Sequence, residues 1–385
     1  MNNLHIVLGE ATNPSRILKE TSSIVKFDIA KKVFIAALYL ESLEKEHVYT
    51  DDIVLNRFEL KTRKLSKNFF VQILKYIEFC FRVTKFYKSK NIKMVNIHGV
   101  KLFPLGIFLK YFYGAKLIYD AHELETEQKP GKNIRKTLLK MMERFFIKKV
   151  DSIFVVSESI ADWYKDEYDI TRPTVVMNAP IYKEITKTNI LRQNLNIKDE
   201  SIILLYQGGL SADRGLELLI EAMQKRQGDR VVTVFMGYGE MEEYIKIVSK
   251  NSKNIFFHPA VDPSVLLDYT SSADIGITAP IFSNNTCLSY TYSMPNKLFE
   301  YAMAGLPVIV SNLKDATQTV RNYNLGVVIE YGNSDCINKA IDEILTKDFK
   351  EFSFNALNFS KKYCWEKQEE KMINEYKRLL NKCAE

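Results

Sequence analysis

Residues 201–225, SIILLYQGGLSADRGLELLIEAMQK, decide the fold. Ile202 to Tyr206 is an apolar run without alternation, the pattern of a strand covered on both faces. Gly208 and Gly209 end it, and the stretch from Arg214 to Lys225 then has the apolar spacing of a helix. A buried strand that opens through glycines into a helix is the start of a βαβ unit, which requires a parallel sheet. Adjacent glycines also let backbone amides approach a diphosphate, and a following helix terminus favours anions.

The same alternation continues in both directions. Downstream come RVVTVFMGYG (strand), EMEEYIKIVSK (helix), NIFFHPAV (strand), PSVLLDYTSSA (helix), DIGITAP (strand), and the strands PVIVS and LGVVIE. Between DIGITAP and PVIVS lies SMPNKLFEYAMAGLPVIVS (293–311), in which Ser293 is suited to cap a helix, Pro295 to its first turn, and Gly305 and Pro307 to its end. Upstream, LHIVLG, KKVFIAALYL, IKMVNIHG, AKLIYDAHE, DSIFVVSE and PTVVMNAP read as strands, with helices from Arg16 to Lys26, from Ser66 to Lys88 and over RKTLLKMMERFFIKK. The strand pattern lapses near 179–200. The expected architecture is α/β, with two Rossmann-like, doubly wound domains facing a central cleft. These cover 1–185 and 186–365, with a helix over 366–385 packing back towards the first domain.

The totals narrow the class. A chain of 385 residues, 46% hydrophobic with 15 Gly and 10 Pro, has enough apolar material for two cores. The five cysteines (Cys80, Cys287, Cys336, Cys364, Cys383) form no CxxC pair, which disfavours a zinc site or disulfide framework and fits a reducing cytoplasm. MNNLHIVLGEATNPSR lacks the layout of a signal peptide, and no apolar run approaches the roughly 18 residues that span a bilayer. Charge is lopsided. Residues 1–180 hold 30 Lys+Arg against 21 Asp+Glu, and within 53–118 there are 14 basic residues and two acidic ones, Glu59 and Glu78. A basic half implies an anionic partner.

Several blocks resemble the GT-B glycosyltransferases, especially glycosyltransferase family 4: YQGGLSADRGLELLIEAM (206–223), FMGYGE (235–240) and PNKLFEYAMAGLPVIVS (295–311). In the first half, NPSRILKE (13–20), YDAHELETE (119–127), VSESI (156–160) and NAP (178–180) look like the same family. The resemblance implies a nucleotide-sugar site in the second domain built from Gly208, Gly209, Arg214, Gly237, Tyr292, Ser293, Asn296, Lys297 and Glu300. Arg214 stands where the family has a cation for the leaving diphosphate. Glu300 resembles the second glutamate of the E-x7-E motif, whose carboxylate accepts hydrogen bonds from ribose hydroxyls. Lys297, three residues earlier on the same helical face, is placed to reach phosphate, the alternative being a surface pair with Glu300 worth a few tenths of a kcal/mol. The chain departs from the motif at its first glutamate, where Tyr292 stands, with Ser289, Tyr290 and Ser293 nearby as hydroxyl donors. His258 reads as packing.

In the first domain the resemblance makes His122 and Glu300 the catalytic pair, with His122 contacting the transferred sugar. Gly9, Arg16, Asp120 and Glu123 are cleft or acceptor candidates, Asp120 as the group that orients His122. No HExxH or Asp-x-Asp occurs, so no metal and no cofactor is expected, and cations and helix ends must stabilise the leaving diphosphate. The implied activity is retaining transfer of a sugar from a nucleotide-sugar donor to a saccharide or lipid-linked saccharide, in bacterial surface-glycan assembly. The other readings are a GT-B sugar-nucleotide epimerase or a catalytically silent membrane-associated binding protein. A dehydrogenase is disfavoured because GEATNPS, not GxGxxG, follows the first strand. Most of Phe69, Phe70, Ile73, Leu74, Ile77 and Phe81 are expected in the core. The lysines around them (Lys85, Lys88, Lys90, Lys93) and those of 132–149 point to an anionic membrane surface rather than nucleic acid, hence a cytoplasmic protein peripheral at the inner face of the membrane.

Overall fold

The computed structural model of the chain describes residues 1–12, 14–66, 68–128, 134–278, 287–330 and 332–381. Of the segments named above, Asn13, Lys67, Lys132, Asn133, Ala279, Pro280 and residues 382–385 lie outside these. The chain forms two compact units, Met1–Met177 joined by the chain from Glu369 onward, and Asn178–Gln368.

The first unit contains β1 (Asn2–Val7), α1 (Ser15–Lys26), β2 (Lys32–Leu38), β3 (Glu46–Thr50), β4 (Ile53–Phe58), α2 (Phe69–Tyr87) and β5 (Ile92–His98). It continues through α3 (Phe103–Tyr113), β6 (Lys116–Ala121), α4 (Ile134–Phe146), β7 (Ser152–Val155), α5 (Glu158–Tyr168) and β8 (Thr174–Val175). Its sheet runs β3-β4-β2-β1-β5-β6-β7-β8, parallel except for the β3–β4 pair. From β1 the chain crosses first to β2 and then, through later strands, to β5 on the other side. The loops after β1 and β5 therefore part at the ends of these strands, the position where such sheets bind ligands.

Right-handed crossovers in opposite directions put α1 on one face of this sheet and α2, α3 and α4 on the other. The side chains agree. Ile53 and Leu55 of β4 pack with Ile17 of α1, whereas Asn56 accepts from the Tyr87 hydroxyl of α2 at 2.9 Å, and Phe58 meets Phe79 edge-on.

The second unit contains α6 (Ile190–Leu195), β9 (Ile202–Gly209), α7 (Leu216–Lys225), β10 (Val231–Tyr238), α8 (Glu242–Lys250), β11 (Ile255–Pro259), α9 (Leu266–Thr270) and β12 (Ile275–Ile277). Then follow α10 (Leu288–Thr291), α11 (Asn296–Met303), β13 (Val308–Ser311), α12 (Lys314–Tyr323), β14 (Gly326–Ile329), α13 (Ser334–Leu345) and α14 (Phe349–Lys362). Its sheet is all parallel, ordered β11-β10-β9-β12-β13-β14, with the direction of winding reversing between β9 and β12. The apolar run quoted first is a central strand, its Leu204 and Tyr206 packed with Leu216, Leu219 and Ile220 of α7. A last helix, α15 (Trp365–Asn381), belongs to the first unit from Glu369. There the Tyr376 hydroxyl accepts from Asn96 at 2.6 Å, and Glu369 accepts from Ser23 of α1 at 2.6 Å.

Several expectations are corrected. The β3–β4 hairpin and the helices α12, α13 and α14 were not anticipated, and PTVVMNAP supplies only the two-residue β8. Ser293 does not cap α11. Its hydroxyl donates to the Tyr290 carbonyl at 2.8 Å, and Pro295 takes the cap position with an extended backbone. The largest correction concerns α2. Only Phe79, Val83 and Tyr87 of its apolar residues are buried, while Phe69, Phe70, Ile73, Leu74, Ile77 and Phe81 are all exposed. The helix meets the sheet along one narrow stripe, with Phe86 edge-on to Phe58 beside it, and these six residues are left at the surface.

Candidate functional site

In the second unit the site grows from the end of β9. Gly208 has φ +115°, which L side chains avoid, so the strand turns outward there at little cost only with glycine. Gly237 on β10 lies in register with Gly208, and a Cβ on it would sit 1.9 Å from the Gly208 carbonyl oxygen. Gly237 thus shapes the loop by allowing this close approach, and its own backbone is buried in the sheet. Gly209 is exposed, with open space around its Cβ position.

Two cations converge on this turn. Arg214 ends a short 3-10 turn, Ala212–Arg214, with its guanidinium 6.0 Å from the Tyr290 ring centre, and its buried Nε has no hydrogen-bond partner among the described residues. Lys297, in the first turn of α11, places its ammonium 3.7 Å from the centre of the Tyr206 ring and beside Gly208. Burial of the ammonium, followed by the positive charge of Arg214, pushes the Lys297 pKa down to about 7, against a smaller upward pull from Glu300. A pair of cations held this close is poised to take an anion. The start of α11 adds to this, since no side chain caps it and no acidic residue occupies its first turn.

Glu300 is positioned from two sides. Gln207 donates to its Oε2 at 2.6 Å and itself accepts from Thr270 at 2.8 Å. The neighbouring Tyr301 is buried, donates towards the carbonyls of Leu205 and Ile277 at 3.0 Å each, and lies flat against Gly276, where a Cβ would come within 2.3 Å of the ring. Tyr301 therefore locks α11 onto β9 and β12, which fixes the direction in which Glu300 and Lys297 project. Neither Gln207 nor Tyr301 was singled out from the sequence, although a polar residue at the end of a buried apolar strand (Gln207) was the available signal. Asn296 is exposed at the start of α11; Ser293 and Tyr292 are half-buried, with the Lys314 ammonium 5.0 Å from the Tyr292 ring centre. His258 is packed against Tyr269 and bonded to its neighbour Pro259.

In the first unit a buried polar cluster occupies the ends of β1, β5 and β6, on the α1 side of the sheet. Arg16 binds Asp120 through both Nε (2.9 Å) and Nη2 (2.7 Å), while Nη1 donates to the Val176 carbonyl at 2.7 Å. Glu20, one turn along α1, lies 2.9 Å from the same Nε, whose hydrogen is directed at Asp120, so this second contact is an ion pair without a hydrogen bond. Arg16 is thus an organiser of Asp120 and is not presented for a ligand as expected. Burial raises the Asp120 pKa, but Arg16 and then His122, with their hydrogen bonds, more than offset it and hold the carboxyl well below the usual range. Glu20 moves the opposite way, well above it, through burial and repulsion from Asp120.

His122 stands at the rim of this cluster with 41% of its side chain exposed, its Nε2 2.8 Å from Asp120 Oδ2. Asp120 being ionised, Nε2 carries a hydrogen directed at it. Behind it, His98 Nδ1 is 3.1 Å from the same carboxylate oxygen, and His5 Nδ1 is 2.9 Å from His98 Nε2. Burial lowers the pKa of both His98 and His5, which favours their neutral forms, and ring-nitrogen contacts run from His5 to His98 and from His98 Nδ1 to both Asp120 and, at 3.0 Å, His122 Nε2. His5 and His98 were missed in the sequence, where each is a single polar residue inside an apolar strand. Atoms of His5, Glu20 and His98, and of His98, Asp120 and His122, are close enough to hold a metal ion, but the Arg16 guanidinium already lies against the carboxylate of each group, as the ion-pair partner of Asp120 and 2.9 Å from Glu20. Glu123 is exposed and accepts from Gln128 at 2.6 Å, and Gly9 lies in the open loop after β1, its carbonyl accepting from Leu38.

Two parallel α/β units of this kind define the GT-B architecture. Comparison with known proteins bears on it directly. Residues 187–358 match the model of glycosyl transferases group 1, and residues 46–181 match that of glycosyltransferase family 4, together well over half of the chain. The chain belongs to the family 4-like, group 1 glycosyltransferases. Among solved structures, sucrose-phosphate synthase from Thermosynechococcus elongatus superposes with a TM-score of 0.79 at 15% identity over 99% of both chains, a likeness of fold. Curated relatives include a lipopolysaccharide 1,2-N-acetylglucosaminetransferase of Salmonella typhimurium, 27% identical over 60% of this chain and 63% of the relative. Another is an alpha-monoglucosyldiacylglycerol synthase of Streptococcus pneumoniae, 23% identical over 71% of this chain and 66% of the relative. The chain spans about half to two thirds of the length of the curated relatives it matches.

Proposed function

We propose that the protein is a retaining, metal-independent glycosyltransferase that moves a sugar from a nucleotide-sugar donor to a saccharide or lipid-linked saccharide. The observation that carries this reading is the meeting of Arg214, Lys297 and the uncapped start of α11 at the glycine turn of β9, with Glu300 one helical turn beyond Lys297. The cations and backbone amides bind the diphosphate and, as the glycosidic bond breaks, stabilise its added negative charge, which takes the place of a metal ion. Glu300, held by Gln207, accepts hydrogen bonds from the ribose hydroxyls. His122, oriented by its contact with Asp120, contacts the transferred sugar. Two curated relatives are named for lipopolysaccharide and glycolipid products, which supports a role in bacterial surface-glycan synthesis with a lipid-linked acceptor. The setting that follows is cytoplasmic, with peripheral attachment at the inner face of the membrane. Among the described residues no helix is long and apolar enough to cross a membrane.

A screen of UDP-, GDP-, ADP- and dTDP-sugars by thermal shift tests the reading, because a ligand that binds the native state raises apparent stability. One donor class should stabilise the wild type and fail to stabilise Glu300→Ala. Full stabilisation of that variant would remove Glu300 from the donor site, and formation of a new sugar nucleotide without any acceptor would replace transfer by epimerisation.

A further inference from the structure

Three neighbouring helices of the first unit each carry an apolar stripe that faces solvent. On α2 it is Phe70, Leu74, Ile77 and Phe81, with Phe69 and Ile73 beside them; on α3 it is Phe108, Tyr111 and Phe112; on α4 it is Ile134, Leu138, Met141 and Phe145. Phe70 and Ile134 are 80% and 81% exposed. The rotation of each helix is fixed from inside. At about 100° per residue, the buried Phe79, Val83 and Tyr87 lie roughly opposite the α2 stripe. On α4 the inward position is Glu143, a buried carboxylate that accepts from the hydroxyls of Tyr164 (2.8 Å), Tyr168 (2.6 Å) and Thr126 (3.1 Å), and the exposed stripe lies on the far side of the helix from it. The outward stripes are therefore built into the fold.

The helices also adjoin one another. The Tyr113 hydroxyl of α3 donates to the Thr84 carbonyl of α2 at 2.7 Å, and Lys110 of α3 donates to the Lys149 carbonyl just after α4 at 2.8 Å. The stripes thus share one face of the sheet. Cations border it. Lys149 sits 4.0 Å from the Phe145 ring centre and Lys85 6.0 Å from that of Phe81, and among the described residues neither these nor Lys88, Lys93 and Lys101 pair with a carboxylate. Apolar stripes framed by unpaired lysines match a bilayer with anionic headgroups, acyl chains receiving the stripes and phosphates the ammonium groups. A large exposed apolar patch on a soluble surface is otherwise unfavourable.

We propose that the α2–α3–α4 face is a membrane-insertion surface, holding the protein on an anionic bilayer by burial of apolar side chains as well as by charge. This deepens the proposed function and rests on it only for its purpose, which is to bring the enzyme to a lipid-linked acceptor. Attachment by the basic patch alone would be abolished by salt, whereas insertion survives it in part.

The test is co-sedimentation of the full chain with vesicles of phosphatidylglycerol and phosphatidylcholine in equal parts, beside vesicles of phosphatidylcholine alone. Wild type should bind the anionic vesicles preferentially and retain part of its binding at about 1 M salt, where the Debye length is about 3 Å. Phe70→Glu with Phe81→Glu, and separately Met141→Glu, should each lower partitioning about tenfold or more, since each removes an inserted apolar group and adds a charge. Lys149→Glu should lower it and reduce the preference for anionic lipid. All these positions are exposed, so the thermal midpoint and any nucleotide-sugar shift measured without vesicles should stay as in wild type. That donor shift can fail independently, which separates loss of this inference from loss of the enzymatic reading. Absence of vesicle binding, binding lost wholly to salt and unchanged by the Phe70, Phe81 and Met141 substitutions, or a concentration-dependent dimer that the same substitutions disperse, would each overturn the inference.

Discussion

The Lys297 ammonium lies 3.7 Å from the Tyr206 ring centre, and the two residues come from different elements of the second unit, α11 and β9. The aromatic face attracts the cation, but burial and Arg214 lower its pKa to about 7. An anion bound at this turn favours the protonated form, so its arrival raises the Lys297 pKa. Below pH 7 the lysine is already charged and donor affinity should be flat. As pH rises above 7, affinity should fall up to about tenfold per unit until the pKa of the bound state is passed. The phosphates of a nucleotide sugar do not titrate in this range. Calorimetry in buffers of different ionisation enthalpy should show proton uptake on binding. Lys297→Arg, charged throughout, should abolish both effects, and an unchanged slope in that variant would assign the proton elsewhere.

Gly237 and Gly209 make a contrasting pair. A Cβ at 237 would lie 1.9 Å from the Gly208 carbonyl oxygen, whereas space around the Cβ position of 209 is open. Gly237→Ala must push β9 and β10 apart, and we expect a loss of about 2 kcal/mol or more by thermal or urea unfolding, with weaker donor binding. Gly209→Ala should leave the unfolding midpoint nearly unchanged and weaken donor binding only, by blocking the backbone. Equal midpoints for the two variants would contradict the close approach of the strands.

Much of this site was legible because its elements are short in sequence and strongly punctuated. The strand, the double glycine and the helix of 201–225 are local features, and parallel strands buried on both faces read as unbroken apolar runs. What could not be read is pairwise. Gln207 reaches Glu300 across 93 residues, and Arg16 reaches Asp120 across 104, so no spacing rule exposes either bond. The apolar residues of α2 show the opposite failure. Their helical spacing was plain, but an apolar stripe does not say whether its partner is the sheet or something outside the chain. The β3–β4 hairpin was missed because its outer strand is polar and half exposed, alternating at an edge where no core imposes a pattern.

His122 and Asp120 are joined by a 2.8 Å contact but differ in what they support. Asp120 is buried and neutralises Arg16, so Asp120→Asn leaves a buried guanidinium short of its charge partner. A cost of about 3–5 kcal/mol is expected. His122 is partly exposed at the rim, and His122→Ala should change stability by no more than about 1 kcal/mol. If it contacts the transferred sugar, the same variant should slow transfer about 100-fold while donor affinity changes little. A large fall in the unfolding midpoint of His122→Ala, with transfer intact, would make the histidine structural.

Glu20 shares the Arg16 guanidinium with Asp120 but receives no hydrogen bond from it among the described residues. Two buried carboxylates face one cation. Asp120 keeps its charge, while burial and Asp120 raise the Glu20 pKa well above the ordinary value. A carboxyl whose pKa is raised on folding contributes stability that is fully present below its unfolded pKa and is lost as pH rises through its folded pKa. Glu20→Gln keeps the shape and removes this titration. Measured by thermal unfolding across pH, the variant should match wild type near pH 4 and become the more stable of the two as pH increases, by about 1–2 kcal/mol at the upper end. The sign is decisive, because an ionised Glu20 that held Arg16 in place would make the variant less stable, and increasingly so with rising pH.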